Sequence, residues 1–317
     1  MKTLRTSSLC ILMALIILVV PSIFAQEETF GLSDADFELF TAANAAISEV
    51  SSFSFDFTAS FSTTGTGEDV SANLSGSGAL GGDEENPVFQ LAVTGDVQSE
   101  GESQPVELEI RLVDNIIYTN DGSGWQGEKA DELMSELGSM AGGMTGTNLD
   151  PEDITSGDLS DLAGMEGMSE AMAALSQLEP NEFISMSRTD SDGLAQFTIE
   201  LSISDLLSSP SLAPLFMMGM TGGASVEGME IDEEQMAAMA GMFAAMFSEA
   251  TVTFEEYVDP ATMLVHRAVL DINIPVPDMS GSGQATTIAL GFDISLSGFD
   301  EPVTVEAPAD AVMSDGE

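Results

Sequence analysis

Residues 53–61 read FSFDFTASF, so apolar and polar side chains alternate along the whole segment. Successive side chains of a β-strand point to opposite faces, and this alternation therefore predicts a strand with one apolar and one solvated face. Further segments show strand signals of the same kind, separated by turn residues and short polar stretches: 70–80, 88–97, 106–113, 115–119, 183–188, 194–203, 251–258, 263–274 and 286–296. Because short connections join antiparallel neighbours, we predict an antiparallel meander and no parallel sheet with helical crossovers.

Helical patterns occupy the segments around and between these strands. Residues 32–50 carry apolar side chains at helical spacing, and Ser33 or Asp34 can cap the start of this helix. A Met- and Gly-rich helical insert around residues 129–180 and 205–248 separates two strand-rich thirds, which we predict to be halves of one sheet. Within the insert, helical patterns cover residues 129–140, 159–178, 205–218 (in pieces) and 232–247.

The N-terminal segment has the order of a secretory signal peptide. Lys2 and Arg5 form a basic start, residues 9–20 are apolar, and Ala25 precedes an acidic stretch. The apolar run is short for a membrane span, so we predict that residues 1–25 are removed and that residues 26–317 form a single domain. An uncleaved N-terminal anchor is the alternative.

The single cysteine, Cys10, lies at the start of the apolar run. A lipidated cysteine would lie at its end, so we expect a protein that is secreted or extracytoplasmic, in the cell envelope, and soluble after cleavage. The mature chain then has no cysteine, which excludes disulfides, thiol catalysis and cysteine metal sites. We expect a monomer that contacts the cell envelope peripherally.

The charge is strongly one-sided, with 6 Lys and Arg against 54 Asp and Glu. Such a surface repels nucleic acid and anionic membranes, so we expect no nucleic-acid partner. Solubility of a secreted protein explains the acidity; a cation store and a basic partner are the alternatives. Four basic residues follow the signal peptide, and each is expected to pair with a carboxylate: Arg111, Lys129, Arg188 and Arg267. The alternative is that one of them holds an anionic lipid head.

Catalysis finds no support in the residue pattern. His266 is the only histidine, and no serine lies in a nucleophile elbow, so we expect no enzyme. Residues 150–153 and 190–193 resemble fragments of calcium loops but lack the spaced ligands, and we predict tight turns. No glycine-rich phosphate loop precedes a helix, so nucleotide binding has no support. We expect no cofactor and no metal site. Trp125, which follows a turn sequence, is predicted to anchor a hairpin to the core.

Methionine is unusually frequent, with 20 residues, and many of these lie between residues 217 and 246. Methionine is flexible and polarizable, and it suits surfaces that adapt to different apolar shapes. One interpretation is therefore a deformable lining or lid over a lipid-sized cavity. The other is ordinary helix packing, because several of these residues follow heptad spacing.

Three stretches resemble the LolA/LppX-like lipoprotein-carrier superfamily, including proteins of the LppX and LprG type. They are Val50-Ser51-Ser52-Phe53 at the end of the first helix, the IIYTNDGSGW hairpin of residues 116–125, and the PVTVEAPADA tail of residues 302–311. The resemblance spans nearly the whole mature chain. It implies a curved antiparallel half-barrel, helices on its concave side and an apolar cavity for acyl chains. The chain departs from the family in lacking a lipobox cysteine and in its Met-rich insert.

The expected function is a secreted, non-enzymatic carrier that binds a lipid or another hydrophobic molecule in an apolar cavity. The alternative is a structural or interaction module of the cell surface whose half-barrel is filled. Residues 302–308 are predicted to form a short terminal strand or an extended tail. The candidate cavity residues are Phe53, Phe55, Phe57, Phe61, Leu108, Ile110, Phe216, Met217, Met239, Phe243 and Met246.

Overall fold

A computed structural model describes residues 29–65, 69–83, 86–99, 101–130, 180–208, 241–242, 244–276 and 286–314. The helices are α1 (Asp34–Glu49) and α2 (Ile203–Ser208), with a 3₁₀ turn at Pro180–Glu182. The strands are β1 (Phe53–Thr64), β2 (Val70–Gly82), β3 (Pro87–Ser99), β4 (Glu102–Val113), β5 (Ile116–Asn120), β6 (Trp125–Lys129), β7 (Ile184–Ser191), β8 (Leu194–Ser202), β9 (Thr251–Asp259), β10 (Leu264–Val276), β11 (Thr286–Ser297) and β12 (Val312–Met313).

All twelve strands belong to one open sheet, in the order β12-β6-β5-β4-β3-β2-β1-β11-β10-β9-β8-β7. The chain runs outward from β1 to β6 in one half and inward from β7 to β11 in the other. The two halves meet where β1 pairs with β11. The predicted antiparallel meander and the joining of both thirds in one sheet are therefore confirmed. A large open antiparallel sheet is consistent with a curved half-barrel.

The strand register separates the sheet into two faces. Directly opposed residues share a face, so the row through Phe57 continues into Gly76 and Val93 on one side and into Ile294 on the other. We call this side the apolar face; its β1 residues are Phe53, Phe55, Phe57, Ala59 and Phe61. The opposite side, the polar face, carries Ser54, Asp56, Thr58, Ser60 and Ser62 on the same strand. The alternation in the sequence thus sets the chemistry of the two faces.

Helix α1 packs against the apolar face over the β7–β10 half of the sheet. Ser33 caps the helix, because its hydroxyl accepts from the backbone N–H of Asp36. The ring of Phe40 meets that of Phe197 edge to face at 5.4 Å, and both are almost fully buried. An ion pair between Asp36 and Arg188 ties the first turn of the helix to β7. Helices that cover the rest of this face remain a prediction.

The C-terminal segment crosses the polar face. The hydroxyl of Ser52 donates to the carbonyl of Glu301 at 2.7 Å, and Arg111 donates to the carbonyl of Glu306 at 3.1 Å. Residues 302–308 form an extended tail, which is one of the two structures predicted for them. A short strand, β12, follows later in the chain and pairs in parallel with β6. This tail buries Val305 against the sheet.

Two local predictions need correction. Lys129 ends β6 instead of starting a helix, because it pairs with Ile116 across the hairpin. Trp125 lies on the polar face beneath the guanidinium of Arg111, 4.7 Å from the ring centre, and does not anchor the hairpin to the apolar face.

Most of the predicted insert lies outside the described residues, including 131–179 and 209–240. The predicted signal peptide and the turn at 150–153 lie outside them as well. The turn at 190–193 is confirmed, since Asp192 and Gly193 take positive φ between β7 and β8. In the described part of the chain, no helix has the length and apolar character needed to span a membrane.

Candidate hydrophobe-binding face

Five phenylalanine rings form a continuous patch on the apolar face at the centre of the sheet. We call it the aromatic floor; its members are Phe53, Phe55, Phe57, Phe89 and Phe292. The ring of Phe55 lies 6.2 Å from that of Phe53 and 6.4 Å from that of Phe57. It also stacks on Phe89 at 6.4 Å, and Phe57 stacks on Phe292 at 5.8 Å. The floor therefore spans β3, β1 and β11, which lie side by side with β2 in the sheet.

Two glycines of β2 allow the rings to lie low over the sheet. A Cβ placed on Gly76 would lie 2.5 Å from Cε1 of Phe57, and one placed on Gly78 would lie 2.8 Å from Cε1 of Phe55. Each ring therefore occupies the space that the Cβ atom of a larger residue at Gly76 or Gly78 would need. The rings of Phe55 and Phe57 therefore rest on the backbone of β2.

The floor continues into an apolar cluster with smaller residues. Ala59, Leu74 and Val93 are its buried members, and partly buried residues pack against them: Phe57, Leu91, Val106, Leu108 and Phe292. These residues come from β1, β2, β3, β4 and β11. A second buried cluster lies beneath α1 and includes Phe40, Phe197 and Val258.

The structure brings six of the predicted cavity residues onto this face, all of them half-buried: Phe53, Phe55, Phe57, Phe61, Leu108 and Ile110. Met246 is half-buried in the segment before β9. Four others lie outside the described residues: Phe216, Met217, Met239 and Phe243. The assignment of these residues to a ligand cavity stays a prediction.

Sequence reasoning did not name Phe89, Leu91 or Phe292 as site residues, although it placed them on predicted strands. Their alternation was visible, but their position beside Phe55 and Phe57 depends on the order of strands in the sheet. Leu74 was missed for a different reason. Its strand is rich in Ser and Gly, so the apolar signal there is weak.

A carboxyl group is buried within the apolar face. Glu256 opposes Ala268 on β10 and Phe197 on β8, and it is only 4% exposed. Burial raises the pKa of this carboxyl to about 8, while a hydrogen bond from the Asn44 amide of α1, 3.4 Å long, opposes the shift. This shift favours the protonated, uncharged form of Glu256 at neutral pH.

The polar face carries a groove of about 600 Å³ across β1, β2, β3, β10 and β11. Its lining includes Ser60, Asn73, Asp96, Asp271 and Asp293. The groove lies on the opposite side of the sheet from the aromatic floor. Among the described residues, no group of three or more His, Cys, Asp and Glu side chains is arranged to hold a metal ion.

His266, the one histidine, packs edge-on against Phe299 with the ring centres 5.2 Å apart. A β-bulge at this residue shifts the pairing of β10 with β9, so that the alternation along β10 is interrupted between Val265 and Arg267. Arg267 donates to both carboxylate oxygens of Asp293, at 2.9 and 2.6 Å. The guanidinium also lies over the ring of Tyr257.

No protein-family profile and no curated protein matches this chain. Among solved structures, LprF from Mycobacterium bovis aligns with 88% of this chain and 99% of its own, at 13% identity and a TM-score of 0.36. A structure solved for lipid–protein interactions in lipovitellin aligns with 82% of this chain, at 7% identity and a TM-score of 0.33, and this alignment covers 26% of lipovitellin. A DUF1329 family protein from Desulfovibrio piger covers 86% of this chain at 11% identity, with a TM-score of 0.21. At these TM-scores none of them establishes a family or a function, so the resemblance to lipoprotein carriers stays a prediction.

Proposed function

We propose that this protein is an exported, non-enzymatic carrier that binds a lipid or another hydrophobic molecule against its aromatic floor. One observation carries the proposal: five neighbouring phenylalanine rings lie low on the apolar face and remain partly accessible. An apolar patch of this kind favours contact with an apolar partner, because burial contributes about 25 cal/mol per Å². A single acyl chain laid along the floor would gain several kcal/mol without a polar anchor.

Binding is tested with a neutral dye, N-phenyl-1-naphthylamine, whose fluorescence rises in apolar surroundings. We expect the full-length mature protein to bind the dye and Phe55→Ser to bind it at least about fivefold more weakly, since one buried aromatic contact is lost. Met263→Ser is the matched control. It removes an apolar residue that is 45% exposed in the β9–β10 turn, away from the floor, and dye binding should be unchanged.

A second variant keeps the test decisive if Phe55→Ser alters folding. Phe89→Ser removes a different ring of the aromatic floor, the one that stacks on Phe55 at 6.4 Å, and it should weaken dye binding by a similar factor. Circular dichroism checks the fold of each variant. Native mass spectrometry of protein from its own host, followed by lipid extraction, identifies any cargo that copurifies.

The proposal fails if the folded wild-type protein takes up no dye and copurifies with no hydrophobic molecule. The better account would then be the alternative, a cell-surface module whose apolar face is filled by the rest of the chain.

A further inference from the structure

The few cations of the chain are distributed unevenly between the two faces of the sheet. Only four Lys and Arg residues follow residue 28, and all four are described. The strand register places three of them on the polar face: Arg111, Lys129 and Arg267. Only Arg188 lies on the apolar face, because it opposes Phe197.

Arg188 is already occupied by two carboxylates. One of its terminal nitrogens pairs with Asp36 of α1, and the other lies 3.0 Å from Asp190. Removing Arg188 from these partners would leave two carboxylates without their cation. Arg188 therefore holds α1 against β7, and its charge is already paired with these two carboxylates.

The cations of the polar face are engaged as well. Arg267 forms a two-point contact with Asp293, and Arg111 contacts Glu109, the Glu306 carbonyl and the ring of Trp125. Lys129 also interacts with a neighbouring group. The sheet itself would separate the polar head of a ligand on the aromatic floor from these three residues.

We propose, resting on the carrier function above, that the bound hydrophobe has an uncharged or cationic polar end and that amphiphiles with an anionic head are excluded. An anionic head on the apolar face meets no unpaired cation among the described residues, and it enters the negative field of a chain with 54 Asp and Glu residues. A neutral head is not repelled by this field, and a cationic head is attracted by it. The alternative that a basic residue holds an anionic lipid head is disfavoured on the same grounds.

Dodecylamine, dodecanol and dodecanoate test this inference because they share one alkyl chain and differ only in the head. Each is titrated against N-phenyl-1-naphthylamine bound to the mature protein at pH 7 and low salt. The amine and dodecanoate are kept below their micellar concentrations, and dodecanol is kept below its solubility limit. We expect the amine and the alcohol to displace the dye at least about tenfold more effectively than dodecanoate. Added salt should narrow the difference, since it screens the field of the carboxylates.

Cationic amphiphiles will also bind to carboxylates away from the aromatic floor. Displacement of the dye is measured because it reports only on binding at the apolar site. The dye reports from apolar surroundings, so an amine that binds only to surface carboxylates leaves its fluorescence unchanged. Butylamine has the same head without a long chain and serves as the control. It should not displace the dye.

Two lysine variants provide a matched pair. Thr119→Lys adds a cation to the apolar face, where residue 119 opposes Ile110, and Thr94→Lys adds the same charge to the polar face, where residue 94 opposes Glu107. Both threonines are exposed. We expect Thr119→Lys to improve dodecanoate displacement at least about threefold over Thr94→Lys, because only the first cation can reach the head.

The outcomes separate this inference from the carrier proposal. Dodecanoate that displaces the dye as well as the other two, or lysine variants that behave alike, would overturn the inference and leave the carrier proposal intact. Failure of all three amphiphiles to displace bound dye would likewise overturn the inference. A folded protein that takes up no dye and copurifies with no hydrophobic molecule would overturn the carrier proposal itself.

Discussion

Glu256 is a buried carboxyl group on the apolar face of the sheet, and its protonation links stability to pH. Its folded-state pKa is about 8 because of burial, against an ordinary value of 4.5. Between these values the folded chain keeps a proton that the unfolded chain has released. The contribution of Glu256 to the free energy of unfolding therefore falls as pH rises through this window, by about 1.4 kcal/mol per unit.

We predict that Glu256→Gln stabilises the protein at alkaline pH. Glutamine keeps the shape and carries no charge, so the free energy of unfolding should exceed that of the wild type by several kcal/mol at pH 8.5. The gain should shrink towards pH 5.5. Guanidinium chloride denaturation at both pH values measures the difference.

Glu200→Gln is the matched control, since it removes an exposed carboxylate from the neighbouring strand β8. Its free energy of unfolding is measured at the same two pH values as that of Glu256→Gln. Equal pH profiles for the two variants would show that Glu256 does not titrate as a buried acid.

The element that encloses Glu256 is α1, and its attachment to the sheet is concentrated in a few contacts. Phe40 is 4% exposed and packs on Phe197, which is fully buried. We predict that Phe40→Ala lowers the free energy of unfolding by about 3–5 kcal/mol, because it removes a buried ring and leaves a cavity between helix and sheet.

Chemical denaturation of the full chain measures this loss. Glu38→Ala, an exposed position on the same helix, should change stability little. A small effect of Phe40→Ala, comparable with that of Glu38→Ala, would mean that α1 is not held on the sheet by this contact.

The strands show which parts of the fold are predictable from sequence. Segments with clear alternation, such as β1 and β11, are predicted to within a few residues, because a period of two fits a strand and does not fit a helix. The bulge at His266 is not predictable in this way, since it inserts one residue without disturbing the local composition. Glu256 escapes notice because it lies within an otherwise regular apolar row, where only its neighbours on β8 and β10 reveal its burial.

The candidate site is predictable in part, and the limit again lies in long-range pairing. Alternation assigns Phe53, Phe55 and Phe57 to one face, but the pairing of β1 with β11 is a choice that local sequence does not encode. The aromatic floor exists because this pairing brings Phe292 beside Phe57. The role of Gly76 and Gly78 beneath the rings likewise emerges only from the register of β1 and β2.

For the whole molecule, acidity is the dominant property, with a formal net charge of −48. Mutual repulsion of so many carboxylates disfavours the compact state, and salt screens it over a Debye length of about 10 Å at 0.1 M. We predict that the melting temperature at pH 7 rises by several degrees between 20 and 500 mM sodium chloride. Differential scanning calorimetry measures it.

Sodium chloride is used because its specific effects on apolar burial are weak compared with those of sulfate. Sucrose, which strengthens burial without screening charge, is the control. A melting temperature that rises with sucrose but not with salt would mean that the carboxylates do not repel one another appreciably in the folded state.

The position of β1 and β11 at the centre of the sheet has a consequence for how the chain folds. Ser54 pairs with Ser297, so the seam of the sheet joins residues from opposite ends of the described chain. Contacts of such high sequence separation form slowly, because a long loop must close before they contribute. Until then β1 and β11 are unpaired edges, which are templates for aggregation. Refolding should therefore be slow and sensitive to protein concentration, and in the cell the pairing of β1 with β11 cannot be completed before residue 297 has been synthesised.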